Sequence, residues 1–289
     1  MRIAVCISGF ARPSNSRLDT FKKHFMDVNK DSEIDIYSCV WDIEGNNLPW
    51  HGIEDLRTDT MCIYTGKFWR LNETKLDYSR YVRELESLGA NTVTHKVYNY
   101  EEYSKKWMSS IPPFQPNFYL SKTPIRIIGI LSQMFGVREA FDMIKNPDTY
   151  DYIIRTRTDN LFAEDIVIGP VVHVGPQRIK FQNSTPLENP HIQEVLHLFN
   201  LKPPTSEMSV MIPWRPHDDN KYMDDMFIIG SPDVMKIITR MYDNSEHIIN
   251  IIFPYSHPGI SGEIVLVSHI LSNNIHINIF EKLPALSKG

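Results

Sequence analysis

Apolar runs alternate along this chain with amphipathic stretches, and the alternation predicts strands and helices by turns. Arg2 to Ile7 is a near-continuous apolar run, the pattern of a strand buried on both faces. Ser8-Gly9-Phe10-Ala11-Arg12-Pro13 breaks it. Asn15 or Ser16 then stands as the N-cap of a helix reaching Asn29, with Leu18, Phe21, Phe25 and Met26 on one face. Ile34 to Val40 predicts a second strand, ending in Trp41-Asp42. A polar, aromatic-rich region from Glu44 to Asn72 has weak periodicity. Beyond it the pattern gives a helix from Asp77 to Leu88, a strand from Asn91 to Tyr98 and a short helix from Glu101 to Met108. The clearest helix runs from Ile125 to Ile144, where Ile127, Ile130, Leu131, Met134, Val137 and Phe141 recur at helical spacing. Lys145-Asn146-Pro147 ends it.

The next segment, Tyr150 to Asn160 (YDYIIRTRTDN), reads as a strand with charge in its second half. Alternation puts Ile153, Arg155, Arg157 and Asp159 on one side, and Tyr152, Ile154, Thr156 and Thr158 on the other. Two guanidiniums and a carboxylate thus approach the carboxyl end of an apolar strand, where open α/β sheets bind ligands. An anionic ligand or a metal ion accounts for such a face. The simpler alternative is that Arg157 and Asp159 neutralise each other.

After Asn160, Ile166 to Val174 and Arg178 to Phe181 are strand-like. Asn183 to Asp219, rich in Pro, Asn and His, reads as a long polar loop. Lys221 to Ile229 leads into Gly230-Ser231-Pro232, with Pro232 in the first turn of a helix to Tyr242. Glu263 to Asn273 is a further helix and Ile275 to Phe280 a last strand. The expected fold class is α/β, a Rossmann-type, mostly parallel sheet flanked by helices. No linker divides the chain, so residues 1–289 are expected to form a single domain. Two functional halves are expected within it, residues 1–160 and 161–289.

Composition narrows the function classes. At 289 residues, 42% hydrophobic and 22% charged, the chain has enough apolar surface for a full core. A net charge of -5 argues against non-specific nucleic-acid binding, so no nucleic-acid partner is expected. Cys6, Cys39 and Cys62 have no metal-type spacing and suit a reducing compartment. No stretch approaches 18 apolar residues, and the first apolar run is too short for a signal peptide. A cytoplasmic protein with no transmembrane segment is therefore expected.

Four groups of residues carry candidate chemistry. Ser8, Gly9 and Arg12 follow the first strand, where a Gly lets backbone N–H groups approach a ligand and an Arg fork suits phosphate. One Gly there also serves as an ordinary turn, and neither a P-loop nor a G-x-G-x-x-G pattern is present. Asp42 ends the second strand, suited to a base or ribose hydroxyl or merely to capping the next segment. Asp159 offers a hard oxygen for Mg²⁺ or Mn²⁺, while Arg155 and Arg157 would neutralise a diphosphate directly. Asp224 and Asp225, in YMDDMFIIGSPDVM, precede an apolar strand and form either a general base or a solvated acidic turn. The 11 histidines include no metal-type pair; His217, beside Asp218 in the polar stretch, is a candidate on the acceptor side.

Taken in order, IAVCISGFAR, DIYSCVWD, LSQMFGVREAFDMI, YDYIIRTRTDN and DDMFIIGSPDVM resemble the GT-A-type glycosyltransferases related to WavE lipopolysaccharide-synthesis proteins. They also resemble glycosyltransferases encoded by large DNA viruses of algae, whose setting would be the host cytoplasm. The resemblance runs from Arg2 to Met235 and continues less clearly to Phe280. It implies a nucleotide-sugar donor, with uridine diphosphate sugars the commonest in this fold, and an oligosaccharide or glycan acceptor. Ser8, Gly9 and Arg12 would meet the nucleotide and diphosphate, and Asp42 the base or ribose. Residues 156 to 159 fall where such enzymes keep a D-x-D metal motif. Asp159 matches its last acid, while the first is replaced by Thr156 or Arg157, depending on the register drawn. Asp225 matches the general base of inverting members, with Asp224 beside it. Two other classes compete: a sugar nucleotidyltransferase, which lacks its Gly-rich first loop here, and a non-catalytic nucleotide-sugar or glycan-binding module.

Overall fold

The computed structural model describes residues 1–11, 15–44, 74–110, 123–217, 220–223, 227–244 and 262–281. Strand β1 (Arg2–Gly9) leads to α1 (Asn15–Phe21), which continues through π and 3-10 turns to Asn29. Next come β2 (Glu33–Trp41), the short pair β3 (Ile43–Glu44) and β4 (Thr74–Lys75), α2 (Tyr78–Glu86) and β5 (Thr92–Tyr98). Helices α3 (Tyr100–Ser110) and α4 (Thr123–Asp142) precede β6 (Tyr152–Arg157). The chain then forms β7 (Ile166–Val167), β8 (Val172–Val174), β9 (Gln177–Ile179) and α5 (Pro190–Leu198). It closes with β10 (Ser209–His217), β11 (Asn220–Met223), β12 (Phe227–Gly230), α6 (Pro232–Thr239), α7 (Gly262–Ser272) and β13 (His276–Glu281).

The expected α/β architecture is present. An eight-stranded sheet runs β11-β10-β12-β6-β1-β2-β5, with β13 also paired to β10. The β5, β2, β1 and β6 strands are mutually parallel; β12 enters antiparallel between β6 and β10, and β13 is parallel to β10. A small antiparallel sheet, β7-β8-β9, stands apart.

The alternation of β1 explains its central place. Ala4 and Cys6 enter one apolar cluster, with residues of α3 to α7; Ile3, Val5 and Ile7 enter the other, beneath α1, α2 and the small sheet. All five are at most 1% exposed, so every second side chain feeds a different core. Within β6, Ile153 joins the first cluster and Ile154 the second. Both described cysteines are free and buried, as small hydrophobes.

The polar stretch from Asn183 to Asp219 differs from expectation. It is not one long loop, for it contains α5 and the nine-residue strand β10. Asn189 caps α5 by accepting from the backbone N–H groups of His191 and Ile192, and Pro190 opens the helix. Ile192 and Val195 on α5 are fully buried. Among the described residues, no helix is long and apolar enough to cross a membrane.

Candidate functional site

Strand order reverses at the junction of β1 and β6. From β1 the chain builds outwards through β2 to β5, then returns over α3 and α4 to place β6 on the other side of β1. At such a switch point the loops leaving two neighbouring strands diverge and leave a crevice at their carboxyl ends. Here those ends are Ser8-Gly9 and Arg157-Thr158-Asp159, since the register pairs Ser8 with Arg157. The sequence candidates at either end of this pair, more than 140 residues apart, meet at one rim.

Local contacts fix that rim. The Thr158 N–H donates to the Ser8 carbonyl at 3.2 Å, and the Thr158 hydroxyl donates to the Phe10 carbonyl. Gly9 has φ +122°, a conformation other residues rarely adopt, and a Cβ there would lie 3.4 Å from Thr158 Oγ1. From the side, α4 approaches closely through Gly136, whose added Cβ would meet the Ser8 Cβ at 3.2 Å. Neither Thr158 nor Gly136 was a sequence candidate. Gly136 interrupts the strongest helical pattern in the chain, and that was its visible signal.

The structure brings Ser8 to the rim but buries it, 1% exposed, with a hydroxyl that has no hydrogen-bond partner among the described residues. Ser8 is therefore covered, and Gly9, partly exposed, is the residue of β1 that reaches the rim.

Arg157 and Asp159 form a bidentate pair. Arg157 Nε and Nη2 donate to the two Asp159 carboxylate oxygens at 2.7 and 2.8 Å. Asp159 stands just past β6, and its side chain is 10% exposed against 28% for Arg157. Arg157 is thus the more exposed partner, and both carboxylate oxygens serve to fix the plane of its guanidinium. Each carboxylate oxygen thus already accepts one guanidinium N–H. Among the described residues, no group of three or more His, Cys, Asp or Glu side chains is placed to hold a metal.

Arg155 is not at the rim. It lies two residues below, opposite Cys6 on β1 and Ile228 on β12, and is 2% exposed. It lines a cavity of about 20 Å³ with Gln133 and Met134 of α4, Ile238 of α6 and Leu266 of α7. The charged face of β6 is therefore split, one guanidinium under the helices and one at the carboxyl end of the strand.

Asp42, at the end of β2, is committed to its neighbours. Its carboxylate accepts from the Asn99 side chain at 2.8 Å and from the Tyr100 backbone N–H at 2.9 Å, which caps the start of α3. The structure thus gives Asp42 the capping contacts that were the plainer of its two readings.

Beside this rim stands an aromatic cluster. Trp41 stacks on Phe135 at 5.6 Å and meets Tyr100, Tyr103 and Trp107 edge-on or tilted; Tyr100 in turn meets Phe10 at 5.0 Å. At its border the Tyr98 hydroxyl donates to Glu139, which also accepts from Arg138 at 2.7 Å. Burial raises the Glu139 pKa, but these hydrogen bonds and the charges of Arg138 and Lys96 outweigh it and hold the carboxyl below its usual range. Burial first, and then the bond to Glu139 and its charge, push the Tyr98 phenol upwards.

Arg12, Asp218, Asp224 and Asp225 lie outside the described residues. His217 ends β10 and pairs in register with Asn220. Phe227, two positions after Asp225 in sequence, pairs with Thr156 of β6. Compared with known proteins, the chain matches no protein-family model, and no curated protein matches it significantly.

Proposed function

We propose that this chain is a GT-A-type glycosyltransferase, moving a sugar from a nucleotide-sugar donor, a uridine diphosphate sugar first among them, to a hydroxyl of a glycan acceptor. The observation that carries the reading is the switch point, where Arg157 ends β6 opposite Ser8 and Gly9 is the next residue of β1. A backbone turn with a left-handed glycine admits a phosphate closely, and a planar guanidinium opposite it supplies paired donors. The aromatic cluster reaching the rim through Phe10 and Tyr100 suits a nucleobase or sugar ring.

In this reading Asp225 is the general base. It takes the proton of the acceptor hydroxyl as that oxygen attacks the anomeric carbon, with Asp224 beside it. The new carbon–oxygen bond forms while the bond to the diphosphate breaks, its electron pair leaving with the diphosphate. Arg157 meets the charge that develops there. Attack from the face opposite the leaving group inverts the anomeric centre. The pairing of Phe227 with Thr156 supports this role, because it ties the segment after Asp225 to the strand that carries Arg157.

A thermal-shift screen of nucleotide sugars, followed by detection of transferred sugar and of its anomeric configuration, tests the reading. Stabilisation by one donor class with turnover supports it. A retained configuration removes the inverting mechanism, and normal turnover by Asp225→Asn removes the base. The engagement of both Asp159 oxygens favours one second reading, a binding module without turnover. Tight binding of a nucleotide sugar with neither transfer nor hydrolysis would select it.

A further inference from the structure

The Arg157–Asp159 geometry assigns a specific division of labour at the rim. Two carboxylate oxygens grip two N–H groups of one fork, at 2.7 and 2.8 Å. The carboxylate is the more buried partner, 10% exposed against 28%. A carboxylate destined for a divalent cation faces the ligand with an accessible oxygen; this one faces the guanidinium of its own chain. Bidentate pairing freezes the plane of an arginine and so pre-organises its donors, an effect that a lysine ammonium cannot reproduce. Across the ladder stands Ser8, and beyond it Gly9, whose φ of +122° suits a close backbone approach by an anion.

We infer that the phosphates of the ligand are held here without a divalent cation: Arg157 is the fixed positive group, and Asp159 is a positioning residue that aims it. The inference rests on the nucleotide-sugar reading and deepens it by naming what neutralises the diphosphate. It also accounts for the replacement of the first acid of the expected metal motif by Thr156 or Arg157. With an organic cation in place, a second carboxylate at the rim would compete with the ligand for Arg157.

The test is calorimetric titration of the full chain with uridine diphosphate, and with guanosine and adenosine diphosphates as further probes. Each is run in chelator and again with Mn²⁺ or Mg²⁺. The expected dissociation constants in the two conditions agree within about threefold, less than half a tenfold step in free energy. Manganese spin-resonance titration is expected to show the free-ion signal unchanged by the protein, alone or with the diphosphate.

Arg157→Lys keeps the charge but loses the fork, and binding is expected to weaken about tenfold or more. Asp159→Asn keeps one acceptor and is expected to weaken binding by less, with affinity still insensitive to metal. Circular dichroism and thermal midpoints of both variants separate lost binding from lost fold. Binding by the wild type only with Mn²⁺, abolished in Asp159→Asn, overturns the inference and leaves the nucleotide reading standing. No binding of any diphosphate, with or without metal, removes the nucleotide reading and the inference with it.

Discussion

Gly136 and Ser8 touch across the helix–strand interface: a Cβ on the glycine would stand 3.2 Å from the Cβ of the serine. That spacing sets how closely α4 lies on the end of β1, and hence the shape of the rim. Alanine at 136 gains helix propensity of about 1 kcal/mol but asks Ser8 to give by a few tenths of an ångström. Valine cannot be accommodated so easily. Gly136→Val is expected to cost about 1–3 kcal/mol of stability by overpacking. Diphosphate affinity should fall as well. Denaturant unfolding and calorimetry read the two effects; an unchanged midpoint would mean that α4 is free to withdraw.

Gly9 gives a second, sharper test of the same rim. At φ +122° any other residue is strained, by about 1–3 kcal/mol. Gly9→Ala should lower the unfolding midpoint and weaken diphosphate binding together, whereas Gly89→Ala, also at positive φ but remote from the rim, should affect stability alone.

At the opposite, amino-terminal end of the sheet, Tyr150 donates to the buried Asp35 at 2.7 Å and meets the Tyr37 hydroxyl at 2.8 Å, while Arg2 approaches Asp35 at 3.5 Å. Tyr150→Phe removes a donor from a carboxylate whose side chain is 9% exposed, at an expected cost of about 1–3 kcal/mol. Because the network lies far from the crevice, ligand affinity should be unchanged. A loss of affinity equal to that of the rim variants would show that rim substitutions act only through stability.

Two histidines set the acid limb. Burial lowers His191 to about 4, against an ordinary value of 6.5, and burial also lowers His269, partly offset by its bond to the Ile237 carbonyl. Between these values the unfolded chain takes up a proton that the folded chain refuses, so stability falls as pH drops from 6.5 towards 4. His191 contributes at most about 1.4 kcal/mol per pH unit. Unfolding midpoints against pH should flatten in this window for His191→Gln. The His191 ring should reach its titration midpoint only at about pH 4.

Glu139 acts in a lower window. Its carboxyl is held below the usual range, so the stability it contributes is complete above the unfolded value, about 4.3. That contribution is lost as pH falls through the folded value. Glu139→Gln should therefore be less stable at neutral pH and show a shallower decline below pH 4 than the parent. If the two curves stay parallel to the most acidic point, Tyr98 and Arg138 contribute nothing to that carboxylate.

The strands of the first half were legible because both of their faces are buried: Ile3, Val5 and Ile7 serve one core, Ala4 and Cys6 the other. Such strands are apolar without interruption, and α4 repeats its apolar positions over several turns. β10 was not legible, because Pro213 and Pro216 sit inside it and proline removes a ladder donor. The register explains how Pro213 is tolerated. On one side of β10, β12 pairs Val210 and Met211, β11 pairs Trp214 to His217, and Pro213 falls in the interval between them; on the other side it stands opposite Phe280 of β13. For α5 the signal was present in Asn189-Pro190, an N-cap followed by a first-turn proline, but the polar surroundings hid it.

At the site, alternation correctly put Arg155 and Arg157 on one side of β6. It could not tell that the rim begins between them, because depth along a strand depends on which helices cross it. Nor could spacing separate an Asp159 that binds metal from one that grips its neighbour; that depends on the turn after Arg157.

The antiparallel entry of β12 has a consequence for how the molecule is made. Each of β1, β2, β5 and β6 can dock as it leaves the ribosome, but the outer edge of β6 gains its partner only when Phe227 to Gly230 arrive, some seventy residues later. Until then a strand bearing Ile153 and Ile154 stands with one side unpaired, the kind of edge that recruits a second chain. A chain arrested after Asn160 could therefore hold the turn of Arg157 against β1 and still present a sticky border along the other side of β6.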